Sequence, residues 1–394
     1  MTARLETTPL STPAALAARA GGLLATLRDS RFVGTLLRFR WAVLCLLTVG
    51  SVAADSGQPP LDVGLFLPDG RLLLSPDWAH VFADKAVQAG PVLLAIYGAV
   101  ADFSEGAALS PLLVLSMLVQ LGTVIVVVRL VRRASREFFP HVDSAPRELA
   151  AGLLVLVLGL PSQAYLSGHP SELLIAVLWC HAALDVRAGK MWHAAGRVVL
   201  AGSLVTQGAL GVAVLFGRPG PMRRVLKPAL GVVGACAAVY LPFQVFGVVH
   251  TGELTWPIAP TSALAPFFGA GTSIGWSGRL LQAALTLGAG VLIARLLSSE
   301  RLAIWIIPAT LALVRVSIDP QVFEYYWIGA QAAYVLAVCL TDRRTLRRWL
   351  PALVAGYAVL LADNGAPMVP AAIALTGLTA TAVLTWQARR AAPA

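Results

Sequence analysis

The stretch LSPLLVLSMLVQLGTVIVVVRLVRRASR, Leu109–Arg136, decides how the rest of the chain is read. Its first 22 residues, to Leu130, carry one charged side chain, Arg129, and then Arg132, Arg133 and Arg136 follow within six positions. An apolar run of about 20 residues matches the thickness of a bilayer core. A dense basic foot marks the cytoplasmic end of such a span. Applied outward in both directions, the same pattern recurs. Further spans fall at about 41–54, 149–166, 171–187, 228–248, 279–298, 302–318, 324–341, 350–363 and 367–387. Mean hydropathy is +0.75 and only 13% of residues are charged, where a soluble domain has about a quarter. The sequence therefore predicts one membrane domain over residues 36–387, between a cytoplasmic N-terminal segment, 1–35, and a cytoplasmic tail, 388–394. Two readings of Ala14–Arg31 stay open: an amphipathic helix on the inner leaflet, or a segment without structure.

Two segments break the simple count. Ala194–Gly217 is flanked at both ends by cytoplasmic-looking cations, Lys190 on one side and Arg218, Arg223 and Arg224 on the other. A single span cannot return to its own side, so a hairpin of two half-helices broken at Thr206-Gln207-Gly208 is expected. Such breaks require protein or a wet cavity to cover the freed backbone groups. Ala89–Ala101 is short and flanked by Asp102 and Glu105, which places it at the outer surface. The expected fold is then an all-α polytopic protein of about 12 transmembrane or half-spanning helices. It has a large first outer loop (55–106), a second outer loop (249–278) and both termini inside. Of the 30 Lys and Arg, all but Arg71, Lys85, Arg279 and Arg315 fall on the cytoplasmic side. The net charge of +10 is thus topological and points to no nucleic acid. Cys45, Cys180, Cys236 and Cys339 sit in or beside apolar runs without metal-ligand spacing, so neither metal nor cofactor is expected.

Polar residues collect outside, in three clusters. In Ser75-Pro76-Asp77-Trp78-Ala79-His80-Val81-Phe82, Asp77 stands among aromatic residues. Partial burial there would raise its pKa and suit it to general-base work. In Ser167-Gly168-His169-Pro170-Ser171-Glu172 a tight turn opens a span, with Glu172 either lining a cavity or merely complementing a helix N-terminus. Arg315 lies in an apolar span four residues before Asp319-Pro320, with Tyr325 and Tyr326 following. An intramembrane cation is a functional-site candidate, and its bland reading is an i,i+4 pair with Asp319. The planar fork of Arg suits phosphate. The second outer loop adds Trp256, and Arg279 opens the next span.

Taken in order, these clusters resemble the GT-C superfamily of integral membrane glycosyltransferases, in particular its polyprenyl-phosphate-mannose-dependent branch in high-GC bacteria. The likeness rests on Asp77 to Phe82, on Gly168-His169-Pro170-Ser171 followed by the broken pair Ala195–Gly217, and on Arg315, Asp319-Pro320 and Tyr325-Tyr326. Where that family often has Lys-Pro at the break, this chain has Gln207-Gly208. The resemblance implies transfer of a sugar, most readily mannose, from a polyprenyl-phosphate donor to a glycolipid, glycan or protein acceptor. Transfer would occur at the outer face of the plasma membrane, with inversion. Asp77 would be the base, while Arg315, Arg279 or His169 would neutralise the lipid-phosphate leaving group. His80, Glu172, Trp256, Asp319, Tyr325 and Tyr326 would line the acceptor and sugar site. A carrier or flippase of a lipid-linked sugar, expected to show ionisable residues at both faces, is the rival reading, and a non-catalytic membrane subunit is the third.

Overall fold

In the computed structural model the described residues are 31–55, 57–298, 301–341, 376–379 and 383. Most of the expected N-terminal segment 1–35, the expected span 350–363, most of that at 367–387 and the tail 388–394 lie outside them. The described chain is mostly helical. Its helices are α1 (Arg31–Arg38), α2 (Arg40–Asp55), α3 (Val63–Leu73), α4 (Pro91–Gly106), α5 (Pro111–Phe138), α6 (Ala145–Val157), α7 (Leu160–Leu166), α8 (Pro170–Arg187), α9 (Met191–Leu204), α10 (Arg223–Phe246), α11 (Trp276–Leu296), α12 (Ala303–Ser317) and α13 (Ile328–Leu340). The antiparallel pair β1 (Trp256–Pro257) and β2 (Ser273–Ile274) is the sole sheet among the described residues.

Three helices, α5, α10 and α11, are long and apolar enough to cross a membrane. The bent pairs α1–α2 (74°) and α6–α7 (47°) pass the same test when each is taken together. The second bend falls at Gly159, whose φ of +66° few side chains tolerate. α10 and α11 leave Leu226, Leu230, Val233, Leu280, Leu281 and Leu285 exposed. A continuous apolar surface of that length is one that lipid covers. The other helices wrap a core centred on α8, α9 and α12, where Ile175, Ala182, Leu184, Val198, Ala201, Ile306 and Leu311 are buried.

The first loop, expected as a polar stretch to Gln88, contains the helix α3, and α4 runs on to Gly106 rather than ending at Ala101. The reason lies in two small residues. A methyl at Gly98 would overlap the Gly70 carbonyl oxygen, and one at Gly70 would overlap the Gly98 amide nitrogen. The two backbones therefore meet directly, as small residues allow in helix pairs. Arg71 of α3 caps the contact by pairing with Glu105 (2.6 Å) and, more loosely, with Asp102 (3.7 Å). On the same helix, burial, followed by the neighbouring Asp84 carboxylate, pushes the Asp69 carboxyl up to about 6. The folded chain thus keeps a proton that the unfolded chain has already lost near pH 3.8. The contribution of Asp69 to stability therefore falls as pH rises from about 4 to about 6. Asp69→Asn is expected to raise the melting temperature in detergent at about pH 7.5 more than at about pH 4.5, and equal shifts at both pH values would refute the assignment.

The expected break after α9 is present. A 3-10 segment, Thr206–Gly211, leads into one further helical turn, Val212–Leu215. The ends of this segment meet, since Arg218 Nη1 donates to the Gly189 carbonyl at 3.2 Å. The tip is covered by α8: Trp179 Nε1 donates to Gly208 O at 2.9 Å.

Buried ion pairs mark the two ends of the bundle. At one end Glu148 is fully buried against Arg40 (2.8 Å) and Arg132 (3.3 Å), and Asp185 holds both Arg133 and Arg197. At the other end, beyond the N-termini of α5 and α8, lies the second charged network.

Candidate functional site

This network is assembled from four elements. α8 begins with Pro170 at its first position, after the turn Ser167-Gly168-His169, and so presents Glu172 in its first turn. Gly168 takes a φ of +73°, and its carbonyl accepts from Tyr97 Oη of α4 at 2.8 Å. α12 supplies Arg315 from its last turn, and Asp319 follows the helix end. α11 supplies Arg279 and Gln282 from its first two turns. The hairpin tip supplies Gln207.

Arg315 does pair with Asp319 one turn on, as its bland reading has it, but loosely. Its main partner is instead Glu172, 143 positions away: Nη1 donates to both carboxylate oxygens, at 2.9 and 2.8 Å. The distance from Nε to Asp319 Oδ2 is a looser 3.8 Å. Asp319, fully buried, accepts from Arg279 Nη1 and from Gln282 Nε2, both at 3.0 Å. Its Oδ1 takes the Gln321 amide (3.1 Å) and its carbonyl takes Ser262 Oγ (2.6 Å). Gln207 Nε2 donates to Glu172 Oε1 at 2.5 Å. Two cations and two anions thus form one neutral, bridged unit, as burial of charge demands. Beneath it a cavity of about 10 Å³, edged by Glu172, Trp179, Gln207, Arg315 and Tyr326, has room for roughly one water.

Aromatic rings roof the guanidinium groups. Arg315 Cζ stands 4.2 Å from the Tyr326 ring centre and Arg279 Cζ 4.6 Å from that of Trp256, both within cation–π range. Tyr325 stacks between His169 (4.1 Å) and Phe323 (5.3 Å). His169 Nε2 lies 2.6 Å from Asp62 Oδ2. Each arginine side chain is 15% exposed. Among the described residues Nη2 of both arginines has no acceptor. Trp256 Nε1, in the ring beneath Arg279, is buried without a hydrogen-bond partner among the described residues. Guanidinium arms and an indole N–H without acceptors are donors from which the oxygens of an anion could accept.

The structure thus gathers Arg315, Arg279, His169, Glu172, Trp256, Asp319, Tyr325 and Tyr326 into one region. Glu172 and Asp319, expected against acceptor or sugar, have their oxygens committed to the arginines. Among the described residues no hydrogen bond, ion pair or ring contact joins Asp77 or His80 to this network. Asp77 is exposed rather than partly buried, caps the 3-10 turn Trp78–His80, and lies where Trp78 packs on Phe243 and Phe246 of α10. Its carboxylate has no hydrogen bond or ion pair among the described residues. His80 is exposed as well. Burial was expected from the neighbouring rings, but those rings turn onto α10 and leave the carboxylate in solvent.

Asp62, Gln207 and Gln282 were not anticipated. The one signal for Gln207 was its place in a helix break, and pairings across 107 and 37 residues leave no spacing to read. Among the described residues no group of three His, Cys, Asp or Glu is placed to hold a metal ion. Comparison with family models, with curated proteins and with solved structures gave no match, so the likeness to membrane glycosyltransferases rests on the residues quoted for it.

Proposed function

We propose that this chain is a membrane-embedded transferase. It would move a sugar, mannose first among the candidates, from a polyprenyl-phosphate donor to a hydroxyl of a glycolipid, glycan or protein acceptor. The site would face the outside of the plasma membrane, in a topology of about 12 segments with both termini cytoplasmic. One observation carries the reading: Arg315 and Arg279 are fixed by buried carboxylates, each keeps a fork arm uncommitted, and both sit beneath an aromatic rim. Preorganised donors of this kind stabilise charge that develops on a leaving phosphate, while the rings offer a surface for sugar or isoprenoid.

In the reaction a carboxylate takes the acceptor proton and the acceptor oxygen bonds the anomeric carbon. The bond from that carbon to the phosphate oxygen breaks, leaving its electron pair on the phosphate, with inversion. Of the two candidate bases, Asp62 stands with the site through His169 and Tyr325, whereas Asp77 does not. The assignment therefore moves to Asp62. In proteoliposomes supplied with a polyprenyl-phosphate sugar, Asp62→Asn is expected to lower transfer by about 100-fold or more, the range of a lost general base. Asp77→Asn is expected to stay within about threefold of the parent. The reverse ranking would return the base to Asp77.

A carrier for a lipid-linked sugar is favoured by one observation, the buried carboxylates at both ends of the bundle, Glu148 and Asp185 at one and Glu172 and Asp319 at the other. It predicts movement of the labelled lipid across the vesicle without a glycosidic product, which the same proteoliposomes measure.

A further inference from the structure

Asp55, expected as the first residue of the outer loop, is the last residue of α2 in the fold, and it is buried. Its Oδ2 accepts from Gln120 Nε2 of α5 at 3.0 Å. The same Nε2 donates to Ser116 Oγ, one turn earlier on α5, at 3.1 Å. Gln120 and Ser116 are fully buried. Tyr165 of α7, buried as well, stands beside Ser116 and within Coulombic reach of Asp55.

The other buried carboxylates of the described chain, Glu148, Glu172, Asp185 and Asp319, each meet an arginine. Asp55 does not: among the described residues its side chain has a neutral amide as its partner and forms no ion pair. It also ends a helix, where the negative end of the dipole disfavours an anion. The far atom of the same amide, Gln120 Oε1, is buried without a hydrogen-bond partner. The cluster therefore lacks positive charge and is rich in oxygen. A buried intramembrane carboxylate of this kind marks a functional site.

We propose that Asp55, Gln120, Ser116 and Tyr165 form a site for one monovalent cation, sodium. Hard cations take oxygen ligands, and the C-terminal ends of helices inside membranes supply such sites for sodium. Turning the Gln120 amide end for end sets Oε1 against Asp55 and Ser116, where a cation bridges oxygens that the N–H group otherwise bridges. A single carboxylate among neutral oxygens balances a single positive charge, whereas calcium takes a larger oxygen set and magnesium keeps waters of its own. The site differs in kind from groups of three metal-binding side chains, of which the described residues have none. Its place in the fold gives it a lever on the neighbouring loop. Gln58 N donates to the Asp55 carbonyl at 3.0 Å and Leu61 N to that of Leu166 at 2.9 Å, so a cation at Asp55 braces the segment that carries Asp62. The inference stands apart from the transfer reaction, because binding is measured without it.

The test is thermal unfolding of the full chain in detergent, with sodium chloride replaced stepwise by choline chloride at constant ionic strength. The melting temperature of the parent is expected to rise with sodium along a saturating curve, as a ligand of the native state produces. Asp55→Asn is expected to lose that shift. Asp77→Asn removes an exposed acid and is expected to keep it. Equal melting of the parent in sodium and choline, or a sodium shift that survives in Asp55→Asn, would overturn the site. Saturation by magnesium or calcium at far lower concentration than sodium would refute the monovalent assignment. A melting temperature that follows pH and ignores sodium would make Asp55 a proton site and refute the cation. If Asp55→Asn elutes as aggregate, Ser116→Ala removes one ligand oxygen and leaves the acid. Its sodium midpoint is expected to rise about tenfold, the lower end of the range for a weakened metal site, and an unchanged midpoint would sink the proposal.

Discussion

Arg315→Met is expected to lower stability by about 3–5 kcal/mol, because it strands Glu172 as a buried carboxylate with Gln207 as its one remaining donor. The measurement is thermal unfolding in detergent, set beside the double variant Glu172→Gln/Arg315→Met. The glutamine keeps an oxygen for Gln207 and removes the charge, so the double variant is expected to regain most of the loss, as neutralised buried pairs do. Transfer activity should behave differently. Both variants lack the guanidinium fork, and both are expected to lose at least about 100-fold in transfer, the scale of one missing charge-stabilising donor. A double variant that regained fold and activity together would make the pair structural and would remove Arg315 from the proposed chemistry.

The second large effect concerns backbone contact. Gly98→Ala places a methyl on the Gly70 carbonyl oxygen, and neither atom can yield without parting α3 from α4. The expected cost is at or above the upper end of the roughly 1–3 kcal/mol of overpacking. Gly122 provides the opposite case on α5, since a methyl there meets no atom within 4 Å. Gly122→Ala should stabilise by up to about 1 kcal/mol through helix propensity. Opposite shifts in melting temperature from the same chemical change would verify the α3–α4 contact, and two small shifts of one sign would refute it.

What was legible in the sequence follows from how far apart the causes lie. Periods and charge feet are local, so the helices at 109–130 and 171–187, the break near Gln207 and the anomaly of Arg315 could all be read from neighbouring residues. α3 was hidden because Pro68 and Gly70 punctuate it, and its reason to be helical is Gly98 on another segment. The partners in the site were hidden for the same reason. Arg315 has an acid four residues away, which spacing favours, yet Glu172 takes its Nη1 because α8 and α12 pack side by side. Asp62 looked like one more solvated acid, and only the fold brings it to His169.

The separation of Glu172 from Arg315 also sets a schedule for synthesis. The 143 positions from one to the other take on the order of ten seconds to translate, and during that interval the carboxylate of α8 has been made while its cation has not. Gln207, 35 positions on, is synthesised first, so of the two side chains that donate to Glu172 the neutral one is made before the charged one.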